Sequence, residues 1–396
     1  MNRALDRLWW ALFLTAIAAV ASAAELPDPM VMNSGRKVET DEDWQARRAE
    51  MIETIEHWEY GHAPGVPEVS VKDVQTEDVL FEKSGKWARR VTVKLVFEIA
   101  VGSRSRATGP LCKLPESSGP GVEASVEQEL DPTAVLTMQA GYWKPRDAAG
   151  PLPAILAMEP VWWQDPFIKN GIVERVISRG YVLAGFNHND LASFEDPAHH
   201  PAQDAYPDCD WGVAAVGAWG YRIAMNWLET DPTVDARRVA IWGHSRRGKS
   251  CALAGALDER FAAVIPHMSG MAGTALYRVR GKGAQELEGL LERFWLHPRM
   301  FDFIDRENEI PLDQHWLHAL IAPRPMLIHV GKDDAWGNPP GEQAAYDAAK
   351  PVYDFLHAPG NLTLYTGNYG HYDPNGPEGA DSWENALKFL DRHFKG

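Results

Sequence analysis

The sequence has few cysteines, a deficit of basic residues and no zinc-binding spacing. Only Cys112, Cys209 and Cys251 occur in 396 residues, a count that builds no disulfide framework but leaves room for one bridge between an undetermined pair. Lys and Arg total 39 against 55 Asp and Glu, and the net charge of −16 argues against nucleic acid as a partner. No Cys or His spacing is typical of a zinc site, so we expect no metal.

Long apolar runs are also missing beyond the N-terminus. Within residues 1–24, Arg3 and Arg7 precede an apolar run from Trp9 to Val20, and small residues at 21–23 form a cleavage site. This pattern predicts a secretory signal peptide, and the run is short for a transmembrane span. We therefore expect a secreted or periplasmic protein with no membrane association after cleavage. An uncleaved anchor is the alternative.

The rest of the chain predicts a single domain over 25–396. From residue 152 onward, short β-rich apolar runs alternate with helical segments, which favours an α/β fold with a mainly parallel central sheet and helices on both faces. Residues 102–150 are rich in Gly, Pro, Ser and charge, and predict a long connection or insertion with a short strand at Ala134–Met138.

The stretch GHSRRGKS, residues 243–250, fits two motifs that both join a strand to a helix. It matches the phosphate-loop pattern G-x-x-x-x-G-K-[ST], and it nearly matches the hydrolase pattern G-x-S-x-G, with Arg247 in place of the second glycine. About five predicted strands precede it, whereas a phosphate loop usually follows the first strand. Export to a compartment poor in ATP also argues against a bound nucleotide.

The order of the polar residues after Ser245 favours the hydrolase motif. Asp333 and Asp334 follow a later apolar strand, and His371 follows the last one. Alpha/beta hydrolases place their serine, acid and histidine in this order. A serine hydroxyl needs an imidazole to take its proton, and the imidazole needs a carboxylate to orient it. The sequence therefore predicts an alpha/beta hydrolase with Ser245 as nucleophile and His371 as base.

The run GHSRRGK, together with the segments around residues 41–65, 210–265 and 312–342, resembles the glucuronoyl esterases of carbohydrate esterase family 15. In that family a G-[CH]-S-R-x-G-K run replaces G-x-S-x-G, and the displaced second glycine is here Gly248. The resemblance covers about 25–100 and 150–396. It implies hydrolysis of esters that join glucuronic or 4-O-methyl-glucuronic acid groups of xylan to lignin alcohols, without a metal or cofactor.

The resemblance also implies roles for single residues. Arg246 matches the arginine that helps to bind the oxyanion, through its side chain and its backbone, and a guanidinium is a strong donor for that purpose. The residues that match sugar ligands of the family are Lys249, Trp336, Gln285 and Glu292.

One position departs from the family pattern. Many members carry the catalytic acid as the Glu of an E-S-G run, and here that run is HMSG with Met268 at the acid position. Other members use an aspartate after the next strand, so we predict Asp334 as the acid and Asp333 as the fallback.

Two other functions stay open from the sequence. One is a different carbohydrate or acetyl esterase on the same fold. The other is a catalytically weak homologue that binds glucuronoxylan, a hypothesis that the methionine at 268 motivates.

Overall fold

In the computed structural model, residues 25–82, 84–98, 135–163, 165–196, 199–372 and 379–396 are described. The predicted signal peptide and Cys112 lie outside these ranges. The strands are β1 Ser70–Phe81, β2 Lys86–Glu98, β3 Val135–Pro145, β4 Leu152–Ala157, β5 Val182–Phe186, β6 Val234–His244, β7 Ala263–His267, β8 Met326–Gly331 and β9 Leu362–Gly367. The α-helices are α1 Asp41–Ile55, α2 Asp165–Lys169, α3 Ile172–Ser178, α4 Pro201–Ala205, α5 Val213–Thr230, α6 Arg246–Leu257, α7 Leu287–Leu291, α8 His315–Ile321, α9 Pro339–Phe355 and α10 Ala380–Phe394.

The strands form one nine-stranded sheet in the order β1-β2-β3-β5-β4-β6-β7-β8-β9. The pairs from β5 through β4 to β9 are parallel, whereas β1, β2, β3 and β5 pair antiparallel. Strands buried on both faces consist of near-continuous apolar residues, and β4 and β5 follow that rule with their runs PAILA and VLAGF. The predicted α/β class with a mainly parallel sheet is confirmed.

Helices cover both faces of the sheet, and the alternation of strand side chains divides the core in two. Ala154, Leu156 and Ile241 belong to the larger apolar cluster, which is shared with α5 and α6. Ile155 and Trp242 point to the opposite face, where the smaller cluster includes residues of α3 and α10. The helix α5 is buried around almost its whole surface, which explains why it is apolar along almost its whole length.

Two strands differ from the sequence-based expectations. β1 was not predicted, because its run SVKDVQTEDVLF is mostly charged or polar and lies exposed at the edge of the sheet. β3 was predicted only at 134–138, within the supposed insertion, yet it continues to Pro145 and pairs with β2 and β5. The prediction of a connection over 102–150 is therefore wrong for 135–145, which belong to the central sheet.

The described cysteines are not bridged, since Cys209 and Cys251 are buried free thiols. Across the described ranges, no helix combines the length and the apolar character that a membrane crossing needs.

Candidate active site

Ser245 lies at the sharp turn between β6 and α6. Its φ of 55° and ψ of −124° place a non-glycine residue in a strained region of backbone space, as a nucleophile elbow requires. The neighbouring glycines make the turn tight enough. A Cβ on Gly243 would lie 2.4 Å from the Arg247 carbonyl oxygen, and one on Gly248 would lie 2.8 Å from the Ser269 Cβ. The position without room for a side chain is thus residue 248, one residue later than the second glycine of the G-x-S-x-G pattern.

Three predicted catalytic side chains meet above this turn in a hydrogen-bonded series. Ser245 Oγ lies 3.0 Å from His371 Nε2, and His371 Nδ1 lies 2.8 Å from Asp334 Oδ2. With Nδ1–H donating to the carboxylate, Nε2 keeps the lone pair that accepts the serine proton. The residues come from three different strand ends, those of β6, β8 and β9. This is the expected geometry for activating a hydroxyl.

Asp334, rather than Asp333, faces the histidine. Asp334 is buried, and its Oδ1 accepts a hydrogen bond from the Gly337 N–H at 2.8 Å. A Cβ on Gly337 would lie 2.5 Å from Asp334 Oδ2, so a glycine is needed there. No pattern in the sequence predicted this requirement. Asp333 is exposed, and the side chain of Met268 is buried at the end of β7.

Arg246 follows Ser245 as the first residue of α6, where backbone N–H groups have no partner within the helix. Its guanidinium forms an ion pair with Glu195, whose side chain is largely exposed. The next residue, Arg247, is bound 3.1 Å from the buried carboxylate of Glu159. The backbone of Arg246 thus follows the serine at the N-terminus of α6, and its role in binding the oxyanion stays a prediction.

Lys249, for which the resemblance implied contact with sugar hydroxyls, lies in the interior of the structure, and that role stays a prediction. It is fully buried, and its ammonium donates to the carbonyl oxygens of Ser269 at 2.6 Å and Met271 and to Gln285 Oε1 at 3.0 Å. Because an ammonium has three donors, all of them are used within the protein. Burial lowers the pKa of Lys249 to about 7. In this structure Lys249 holds the 269–271 backbone in place.

The other predicted sugar ligands are spread from the interior to the surface. Gln285 is buried beside Lys249, and its backbone N–H donates to the Trp336 carbonyl oxygen at 3.3 Å. Trp336 is 46% exposed, two residues after Asp334, so its indole is open to a ligand beside the triad. Glu292 is exposed at the end of α7. A substrate role for these three residues stays a prediction.

Glu342 is a buried acid near the site that the sequence did not single out. Its Oε1 accepts hydrogen bonds from Gly270 N–H at 3.1 Å and Thr274 Oγ1 at 2.8 Å. Glu342 therefore holds the 270–274 turn, while Lys249 binds the carbonyl oxygens of Ser269 and Met271 in the same segment. Burial raises the pKa of Glu342 to about 8.

Glu342→Gln is expected to change how stability depends on pH. Burial raises the pKa of Glu342 from 4.5 to about 8, so between these values the folded chain keeps a proton that the unfolded chain releases. The resulting stabilisation is complete below 4.5 and is lost as the pH rises through 8. Glutamine keeps the acceptor oxygen and cannot ionise. Urea unfolding at about pH 5 and about pH 9 should show the wild type losing stability relative to the variant, and parallel profiles would contradict this.

Three histidines form a ladder behind the triad. His244, His267 and His329 lie at paired positions of β6, β7 and β8. The ring of His244 lies 5.2 Å from that of His371, measured between centroids. Burial lowers the pKa of His244 and of His267 well below the usual range, which keeps both rings neutral. They pack under the base without adding a positive charge beside it.

Within the described ranges, one group of side chains has the spacing to hold a metal ion. Glu53, Glu56 and His62 bring one ligand atom each within 4.8 Å of one another at the end of α1. His62 Nδ1 already contacts Asp210 at 3.3 Å. None of these residues belongs to the hydrogen-bonded series around Ser245.

Comparison with known proteins shows to which family the chain belongs. Residues 131–357, more than half of it, match the family model of fungal glucuronyl esterases. The chain belongs to the glucuronoyl esterase family. A carbohydrate esterase from an unknown prokaryotic organism is 29% identical, with 94% of this chain and 90% of that protein covered. The 4-O-methyl-glucuronoyl methylesterase 1 of Phanerochaete chrysosporium is 26% identical, with 85% of this chain and 63% of that protein covered.

A solved structure agrees with this membership of the glucuronoyl esterases. The glucuronoyl esterase from Solibacter usitatus superposes with a TM-score of 0.72 at 26% identity, covering 95% of this chain and all of that one. The agreement includes the alpha/beta hydrolase fold, so the predicted fold and the family resemblance are both confirmed.

Proposed function

We propose that the protein is a serine esterase that hydrolyses esters of glucuronate, including 4-O-methyl-glucuronate, between xylan and lignin alcohols. The observation that carries the proposal is the hydrogen-bonded series from Ser245 through His371 to Asp334 at a strained elbow, in a chain of the glucuronoyl esterase family. The substrate class follows from the family and from relatives named as 4-O-methyl-glucuronoyl methylesterases. The exposed indole of Trp336 beside the triad suits a sugar ring.

The reaction proceeds in two steps. Ser245 Oγ attacks the uronate carbonyl carbon while His371 Nε2 takes the hydroxyl proton, and Asp334 stabilises the imidazolium that forms. The Arg246 N–H and guanidinium hold the oxyanion. His371 then gives its proton to the departing alcohol and leaves a uronoyl ester on Ser245. A water molecule, deprotonated by His371, releases the free uronate and restores the serine.

Arg246→Ala is expected to lower kcat by about 10²–10³-fold, as loss of an oxyanion donor does, with a small change in KM. Arg246→Lys should recover part of the rate, because it restores the charge without the planar guanidinium. The matched control is Glu195→Gln, which removes the exposed ion-pair partner and keeps Arg246. Steady-state kinetics on a benzyl ester of glucuronate checks this, and an Arg246→Ala rate close to wild type would contradict the role.

The substrate class is tested with benzyl glucuronate beside benzyl acetate, using the 25–396 protein and a Ser245→Ala control. We expect serine-dependent release of benzyl alcohol that is much faster from the glucuronate. Faster hydrolysis of the acetate would indicate a different esterase on this fold. Binding of glucuronoxylan without release of benzyl alcohol from either ester would instead support the hypothesis of a catalytically weak homologue. The contact of Asp334 with His371 argues against that hypothesis.

We also propose that the chain is exported through the signal peptide over 1–24 and acts outside the cytoplasm, where plant polysaccharide is found. The proposed chemistry needs neither cofactor nor nucleotide. The acidic balance of the chain supports a polysaccharide rather than a nucleic acid as partner. N-terminal sequencing of the secreted protein checks the cleavage site after Ala23 or Ala24.

A further inference from the structure

A groove of about 940 Å³ lies on the antiparallel side of the sheet, apart from the triad. Its walls come from β1, β2 and β3 and from Trp162 and Trp163, which follow β4. The register of β1 shifts between Lys72 and Gln75, where Asp73 has a φ of 51°. A β-bulge of this kind bends its strand, and here the bend shapes the outer wall.

The floor of the groove is polar. Gln75 pairs with Thr92 across β1 and β2, and Lys94 pairs with Gln139 across β2 and β3. Because side chains alternate along a strand, Thr92 and Lys94 share one face of β2, while their neighbour Val93 is buried on the other. Gln75, Lys94 and Gln139 are exposed. The floor therefore offers side-chain amides and a hydroxyl that both donate and accept hydrogen bonds.

One wall presents a bare indole. Trp163 is 57% exposed, the most exposed tryptophan among the described residues. Its neighbour Trp162 is buried against Gly141, and the Trp162 carbonyl oxygen accepts a hydrogen bond from Arg90 Nη1 at 3.1 Å. Arg90 also pairs with Glu77 of β1. Arg90 thus links the segment that carries Trp162 and Trp163 to strand β1, and the ring of Trp163 is exposed to solvent.

The charges of the groove balance. Two acids, Asp73 and Glu77, face two bases, Arg90 and Lys94. In a chain with a net charge of −16, a groove without net charge suits neither a basic peptide nor a polyanion. An exposed indole suits the apolar face of a sugar ring, and the amides and hydroxyl suit its OH groups. The lining therefore favours a neutral, hydroxyl-rich chain.

The groove lies close to the catalytic edge of the sheet. Ala140, beside Gln139, pairs with Phe186 at the carboxyl end of β5. Glu159 contacts Arg247, two residues after Ser245, at 3.1 Å. Trp163 is four positions after Glu159, so their Cα atoms are at most about 14 Å apart. A polymer held in the groove can therefore reach the triad.

We propose that this groove binds the neutral backbone of the polysaccharide that carries the ester, a chain of linked pentopyranoses. The inference rests on the proposed function for its choice of polymer. The groove holds the chain at a second point, away from the reacting uronate. It raises the local concentration of the ester at Ser245 without taking part in the chemistry.

Binding is measured first, by calorimetry with linear xylo-oligosaccharides that carry no uronate, in the Ser245→Ala protein. Adding Trp163→Ala should weaken the affinity by about ten-fold, the upper range for loss of one aromatic contact. Gln139→Ala, a change at an exposed floor residue, should weaken it less. The matched control is Trp87→Ala. Trp87 is 41% exposed on the opposite face of β2, and its removal should leave the affinity unchanged.

Kinetics separates the groove from the triad. For Trp163→Ala with an intact Ser245, kcat and KM on benzyl glucuronate should stay at the wild-type values. On esterified glucuronoxylan, KM should rise by about ten-fold with kcat unchanged, because only polymer binding is lost.

Two results would overturn the groove assignment while the proposed function stands. One is a Trp163→Ala protein that turns over benzyl glucuronate at the wild-type rate and also has the wild-type KM for esterified glucuronoxylan. The other is a loss of affinity for aromatic lignin alcohols, but not for xylo-oligosaccharides, in Trp163→Ala. If the wild type fails to turn over benzyl glucuronate, the proposed function itself fails, and oligosaccharide binding still tests the groove.

Discussion

Ser245→Ala is expected to reduce ester turnover by about 10⁶-fold, the order of loss found when a catalytic serine is removed. The hydroxyl that lies 3.0 Å from His371 Nε2 is the only group the variant lacks. Alanine keeps the β-carbon, and the residue 245 N–H can still donate to the His267 carbonyl oxygen as in the wild type at 2.8 Å. The melting temperature and the affinity for substrate should therefore stay near the wild-type values.

The measurement is kcat on benzyl glucuronate together with thermal unfolding of the same sample. A folded variant that keeps more than about a hundredth of the rate would show that the hydroxyl is not the nucleophile, since an acyl transfer without it would lose far more. A variant that fails to unfold cooperatively would point to the strained turn instead. Ser245→Cys, which keeps a nucleophile at the same position, then separates the two explanations.

Asp334→Asn is expected to lower kcat by about 10⁴-fold with little change in KM, because the amide no longer fixes the imidazole in the tautomer that accepts the serine proton. Asp334 Oδ2 accepts from His371 Nδ1 at 2.8 Å, and its other oxygen is held by Gly337. The carboxylate is buried, so water cannot replace it as a partner of equal strength.

The neighbouring residues provide the controls for Asp334. Asp333→Asn changes the same charge one residue earlier at an exposed position, and its rate should stay within about two-fold of wild type, as for ordinary surface changes. Met268→Leu keeps the volume of the buried side chain at the position where the family resemblance leads one to expect a glutamate, and it should also spare the rate. A large loss in Asp333→Asn with a normal Asp334→Asn rate would assign the acid to Asp333.

The strands of the parallel half and the order of the triad were predictable from the sequence. Each of β4 to β8 contains an apolar run, because both of its faces are covered by helices. The elbow could be distinguished from a phosphate loop by the residues that follow it, Asp334 and His371. The structure adds a reason of its own, since Lys249 Nζ points into the interior and not into the loop.

Other features depend on tertiary contacts that no local pattern reports. β1 is an exposed edge strand, so its residues lack the apolar alternation by which strands are recognised. The burial of Lys249, whose role as a sugar ligand stays a prediction, could not be read from the sequence, because its three acceptors lie 20 or more residues away in sequence. The buried Glu342 and the glycine at 337 depend on neighbours that only the fold brings near.

Mass spectrometry of peptides from protein quenched in acid during turnover of benzyl glucuronate tests directly whether Ser245 carries the uronoyl group. We expect the peptide that contains Ser245 to gain the mass of one uronoyl residue, and we expect this adduct to be missing in Ser245→Ala. Turnover with the uronoyl group on a different residue would contradict the assignment of Ser245 as nucleophile, as would wild-type turnover by the alanine variant.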